Sequence, residues 1–125
     1  MMDPAEGFTF AKKEKLCGKR DISVLMSKGK WGSSACFRFC CLLSNGAGFP
    51  RLVVSVPKKH FKRAVKRNLL KRRIREAWRM QKHLLSDAGV CADLMLLYNT
   101  SEVCTQAEIF DAVGCVISQI SEWHR

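Results

Sequence analysis

The chain has 125 residues, with 22 Lys/Arg against 11 Asp/Glu and a formal net charge of +11. At 47% hydrophobic it can bury the core of a single domain and is not a disordered basic tail. It has no apolar run of the roughly 18 residues a transmembrane helix needs, and MMDPAEGFTF has neither the basic start nor the apolar run of a signal peptide.

Residues 1–11 read as a weakly ordered lead-in and 12–125 as a single domain. Leu16, Ile22, Leu25 and Met26 recur at helical spacing, which predicts a short helix over about 18–28, with Gly29 as its stop. Residues 31–34 read as a connector. Residues 36–43 (CFRFCCLL) form a strand by β-propensity, with Phe37, Phe39 and Cys41 facing one way. Residues 44–48 carry loop chemistry. Residues 52–56 (LVVSV) form a second strand, expected to pair with the first as an antiparallel hairpin and to end at Pro57. A long helix is expected over 62–85. A third strand follows at 93–98, bounded by Gly89 and Asn99. Thr105-x-x-Glu108 is a capping-box pattern that opens a last helix, with Ile109, Phe110, Val113, Val116, Ile117 and Ile120 on its apolar stripe. The order is α-β-β-α-β-α: a small α+β domain with a central sheet packed by helices.

The charge is concentrated. Residues 51–83 carry 13 basic groups and one acid, Glu76, whereas residues 84–125 carry one basic group and six acids. On a wheel at about 100° per residue, Leu70, Ile74, Ala77, Trp78, Gln81 and Leu85 form the core stripe of the middle helix. Asn68, Lys71, Arg72, Arg75 and Arg79 fill an adjacent arc about 100° wide. Like charges at i,i+4, as in Lys71–Arg75 and Arg75–Arg79, cost roughly 0.2–0.5 kcal/mol per pair, and only Arg72–Glu76 offsets them. A helix that accepts this repulsion is expected to meet an anion. Arginine's planar fork suits phosphate and stacks on bases, so the expected partner is nucleic acid. Phe37 and Phe39 share one strand face, which is either core or, if open, a stacking platform for unpaired bases.

Other chemistry is weakly supported. The cysteines (17, 36, 40, 41, 91, 104 and 115) are odd in number and contain no C-x-x-C, so buried thiols in a reduced cytoplasmic compartment are expected rather than zinc or disulfides. His60, His83 and His124 are scattered. His60 sits among cations, which suits a phosphate or surface role. No nucleophile, base and orienter group together, so no catalytic residue and no protein-borne metal site are expected. A membrane role is disfavoured because the basic helix needs its apolar stripe for the core.

Val54-Ser-Val-Pro-Lys-Lys59, followed by Ala64-Val-Lys-Arg-Asn-Leu-Leu-Lys-Arg-Arg-Ile-Arg-Glu-Ala-Trp-Arg79, resembles the protein subunit of bacterial ribonuclease P. Arg67, Asn68, Lys71, Arg72, Arg75, Glu76 and Arg79 fall in the register of that family's helix motif. The resemblance covers about residues 15–123. It implies a ribosomal-protein-like topology with a left-handed crossover. It implies an endonuclease, a hydrolase acting in tRNA processing, whose catalytic centre is a large RNA that removes the 5′ leader of precursor tRNA with Mg2+. No organic cofactor and no obligate protein partner are implied. Arg67, Asn68, Lys71, Arg72, Arg75 and Arg79 would bind the catalytic RNA, with Phe37, Phe39, Lys58 and Lys59 on the leader side.

Three departures stand out. Leu69 replaces an arginine of the family motif. The connector His60-Phe61-Lys62-Arg63 is one residue longer. Ile22, Leu25 and Met26 replace aromatics common in the family's first helix. The alternative reading is a structural, ribosomal-type RNA-binding protein with no catalytic partner.

Overall fold

Two stretches decide the sheet: residues 37–42, where Phe37 and Phe39 alternate with Arg38, and the apolar run of 94–98. A computed structural model describes residues 19–43 and 50–124. The expected lead-in, Leu16, Cys17 and the loop at 44–48 lie outside the described residues. The elements in chain order are α1 (Lys19–Lys28), β1 (Lys30–Ser34), β2 (Phe37–Leu42), β3 (Arg51–Ser55), α2 (Ala64–Gln81), α3 (His83–Asp87), β4 (Asp93–Tyr98) and α4 (Gln106–His124).

The sheet order is β1-β2-β4-β3. β1 pairs with β2 and β2 with β4, both antiparallel, while β3 pairs with β4 in parallel. This corrects the expected hairpin between residues 36–43 and 52–56. β4 lies between them, because its apolar run at 94–98 can be covered only at the centre of a sheet packed on both faces. The parallel β3–β4 pair needs a crossover, and α2 with α3 provides it. β1 is a second correction: residues 31–34, read as a connector, belong to an edge strand.

One face of the sheet carries Phe37, Phe39, Cys41, Leu52, Leu94, Leu96 and Tyr98 against Leu70, Ile74, Ala77 and Trp78 of α2 and Ile109, Val113, Val116, Ile117 and Ile120 of α4. Phe39 also stacks on Trp123, with centroids 5.4 Å apart. The other face carries Cys40 and Met95 against Leu25 of α1, flanked by Ile22, Leu42 and Val53. Met26, expected on the same stripe as Leu25, is 49% exposed.

Gly29 ends α1 as expected, its N–H donating to the Leu25 carbonyl at 2.7 Å. A side chain there would collide with that carbonyl and with Cys40 Sγ, so close approach, not φ, demands glycine. The expected long helix is interrupted at Lys82, where Leu85 N–H bonds back three residues to the Lys82 carbonyl. The run closes in a Schellman motif. Val90 N–H donates to Leu85 O at 2.9 Å and Gly89 N–H to Ser86 O at 3.0 Å, with Gly89 at φ 75°. At α4, Thr105 Oγ1 accepts the Glu108 N–H at 3.2 Å, one arm of the expected capping box.

Candidate nucleic-acid interface

α2 is fixed to the core through the stripe the wheel predicted: Leu70, Ile74, Ala77, Trp78 and Gln81 are all buried. Gln81 is accommodated in the interior by donating its amide to the Phe110 carbonyl of α4 at 2.9 Å. Arg73 Nη1 donates to the Cys104 carbonyl at 2.7 Å, and Gln106 Nε2 donates to the Arg73 carbonyl at 3.0 Å. These bonds tie α2 to the start of α4 and set the direction of its outer face.

That outer face carries the expected cations, but they divide into two groups. Asn68, Arg72 and Arg75 are exposed and Lys71 is half-buried, and among the described residues none of the four makes a hydrogen bond or ion pair. Arg79 is different: its guanidinium grips Glu76 through Nε at 3.2 Å and through Nη2. The expected Arg72–Glu76 pair is therefore replaced by Arg79–Glu76. The hydrogen bond from Arg79 holds the Glu76 carboxyl below its ordinary range.

Arg67 also departs from the expectation. Its Nη1 donates to the carbonyls of Phe61 and Lys62, both at 2.8 Å, so it braces the connector ahead of α2. Leu69 is half-buried and lines a concavity of about 450 Å3 with Val65, Asn68 and Arg72, at the border of the cationic arc.

The start of α2 adds charge of a second kind. Its N-cap is Arg63, without a side-chain cap, and its first turn has no acid. The unmet N–H groups and the positive end of the helix dipole thus lie at the stretch of chain that carries exposed Lys62, Arg63 and Lys66. Lys58 and Lys59 are exposed in the connector just upstream. His60 Nδ1 lies 3.2 Å from Ser101 Oγ and links this connector to the loop after β4.

The proposed aromatic platform is overturned. Phe37 is 1% exposed and Phe39 0%, because their strand face is the one that α2 and α4 cover. Neither ring has a surface to offer a base. The sheet face beside α1 instead carries Trp31, 37% exposed, with the Arg38 guanidinium 4.8 Å from its ring centroid. Sequence patterning hides this pair because KWGSS has the composition of a connector. The available signal is period-2 spacing: Arg38 alternates with the buried Phe37 and Phe39, so it must face the opposite side.

The cysteines are only partly interior. Cys40, Cys41 and Cys104 are buried, Cys36 and Cys91 half-buried, and Cys115 exposed. Burial pushes the Cys41 thiol up to about 12, and burial with the neighbouring Cys104 does the same to Cys36. Among the described residues no three His, Cys, Asp or Glu side chains cluster so as to hold a metal ion, and no helix is long and apolar enough to cross a membrane.

The family model described as Ribonuclease P matches residues 10–120 of this chain. The chain belongs to that family. It is 40% identical over 89 residues to the ribonuclease P protein component of Porphyromonas gingivalis, covering 70% of this chain and 64% of that protein. With the Nitrosococcus oceani protein component it shares 36% over 78 residues, covering 62% and 65%. The chain thus spans slightly less than two thirds of the length of these curated relatives. The solved RNase P protein of Staphylococcus aureus superposes with a TM-score of 0.73 at 22% identity, over 86% of this chain and 94% of that one. That of Thermotoga maritima gives 0.73 at 23%, over 85% and 96%. The family's fold is therefore present here, and a ribosomal-type protein without a catalytic partner is the less favoured reading.

Proposed function

We propose that this chain is the RNA-binding protein subunit of a ribonuclease P ribonucleoprotein, and that it assists a catalytic RNA in removing the 5′ leader of precursor tRNA. The observation that carries the reading is the one-sided array on α2. Lys71, Arg72 and Arg75 stand beside Asn68 with their donors unpaired among the described residues, on a helix whose opposite side is locked in the core. Family membership supports reading that RNA as the catalytic RNA of ribonuclease P. Arg79 joins this array only by sharing its fork with Glu76, and Arg67 contributes through the connector it braces.

In this reading the uncapped start of α2, with Lys62, Arg63 and Lys66, takes a phosphate of the catalytic RNA. Lys58 and Lys59 lie where β3 hands over to α2, and they receive the single-stranded leader as it leaves the sheet face beside α1. The reading asks this chain for no base, nucleophile or metal cage. Mg2+ is assigned to the RNA phosphates, where it supplies the charge neutralisation that phosphodiester cleavage needs. The protein's cations lower the repulsion between two polyanions, so its effect is greatest when Mg2+ is scarce.

The test is reconstitution with a bacterial ribonuclease P RNA at low Mg2+, followed by precursor-tRNA cleavage. Stimulation by the protein is expected. Absence of stimulation, or cleavage by the protein alone, would overturn the reading.

A further inference from the structure

Cys36 and Cys104 are far apart in the sequence and adjacent in the fold. Cys36 ends the turn between β1 and β2, and its carbonyl accepts the Asn99 N–H at 2.8 Å. Cys104 lies in the segment between β4 and α4, which folds back over the end of β4. Its N–H donates to the Tyr98 hydroxyl at 3.0 Å, and that hydroxyl donates to the Glu102 carbonyl. These bonds bring the two thiols within hydrogen-bond reach of each other. The RNA-binding array makes no use of either.

The pair also shares an opening to solvent. A cavity of about 450 Å3 is lined by both cysteines, with Ala35, Thr100, Glu108 and, from α4, Cys115. Cys36 is half-buried there, whereas Cys104 is only 8% exposed. A small oxidant entering the cavity therefore meets Cys36 first, with Cys104 beside it. Burial and the neighbouring Cys104 keep the Cys36 thiol protonated at neutral pH, and the thiolate is the reactive form. Oxidation of this pair is therefore slow, a response to sustained oxidant and not to a passing one.

We propose that Cys36 and Cys104 form an oxidisable pair that peroxide joins in a reversible disulfide. The Cys36 sulfur attacks one peroxide oxygen, the O–O bond breaks, and a sulfenic acid forms with release of one water. The Cys104 sulfur then displaces that oxygen as a second water, and the S–S bond forms. The two thiols give up two electrons, which reduce the peroxide, and their two protons leave in the waters. The cross-link staples the β1–β2 turn to Cys104, whose carbonyl accepts the Arg73 Nη1 donor of α2 at 2.7 Å. It thus fixes the joint that sets the direction of the outer face of α2.

Two measurements on the full chain test it. In the first, the reduced protein is incubated with hydrogen peroxide, the remaining thiols are alkylated, and the peptides of the monomeric fraction are read by mass spectrometry. A Cys36–Cys104 cross-linked peptide is expected, and dithiothreitol should abolish it. Absence of that peptide, or a cross-link that joins Cys36 or Cys104 to Cys115 or another cysteine in its place, overturns the pair.

In the second, the peroxide-treated and reduced proteins are melted side by side. The cross-link closes a long loop of the unfolded chain, so the oxidised parent should melt roughly 10 °C above the reduced one. Dithiothreitol should remove the rise, and Cys36→Ser should melt at the same temperature before and after peroxide. An oxidised parent that melts no higher than the reduced one, or a rise that persists in Cys36→Ser, overturns the staple.

Discussion

Arg67 and Arg72 lie on the same helix, yet their side chains do different work. Arg72 has no protein partner among the described residues, whereas Arg67 donates twice to the connector carbonyls of Phe61 and Lys62. Arg72→Ala and Arg75→Ala should therefore each weaken RNA binding. Each should also reduce the slope of log affinity against log salt by roughly 0.7–0.9 for every phosphate no longer neutralised. Their melting temperatures should match the parent's, and a large thermal loss would show the side chains to be structural. Arg67→Ala should do the reverse in part: a loss of about 1 kcal/mol of stability, read as a lower midpoint in urea, before any effect on RNA. The distinction was legible in the sequence. Arg67 lies on the wheel within about 20° of Ile74 and Trp78, on the core side rather than in the cationic arc. The family register placed it with the RNA-binding side chains because a motif aligns residue types, not directions. Glu76 is the opposite case. Arg72 and Arg79 are both within reach along the helix, and spacing alone does not choose between them.

The elements show where sequence patterning is decisive and where it is not. β4 and α4 were legible to within a residue because a long apolar run or stripe has one way to be buried. β1 was not, because an edge strand paired on one side needs few apolar residues. Missing β1 also misplaced β2, whose true antiparallel partners are β1 and β4. The two-residue turn between β1 and β2 now yields a prediction. Ala35 sits there at φ 48°, the left-handed region where a side chain costs roughly 1 kcal/mol. Positive φ at the first central residue of such a turn is the position at which hairpins use glycine. Ala35→Gly should stabilise the domain by about 1 kcal/mol, a rise of roughly 4 °C by calorimetry. An unchanged or lower melting temperature would mean the turn is not strained. Gly89 provides the converse. Its φ of 75° closes the Schellman motif, so Gly89→Ala should cost about 1 kcal/mol although the added methyl meets no atom within 4 Å.

At the scale of the whole molecule the formal charge of +11 is divided unevenly along the chain: residues 51–83, which include α2 and its connector, carry 13 basic groups and one acid, and residues 84–125 carry one basic group and six acids. Such a distribution orients the protein as it approaches RNA. The core responds to pH for a different reason. Burial raises the Cys36 and Cys41 thiols to about 12 and pushes the Tyr98 phenol above its ordinary value. In the unfolded chain thiols titrate near about 8.5 and phenols near about 10. Between those values and their folded ones, the unfolded state binds fewer protons than the native state, so stability must fall as pH rises. The contribution is fully present below about pH 8.5 and is lost progressively toward pH 12, at up to about 1.4 kcal/mol per pH unit for each thiol. Melting temperature should therefore be level from about pH 6 to 8 and decline from about 8.5 to 10. In Cys36→Ser the decline should be shallower by the share of one thiol. A melting temperature that stayed level to about pH 10 would mean these thiols titrate in the folded protein as they do in the open chain.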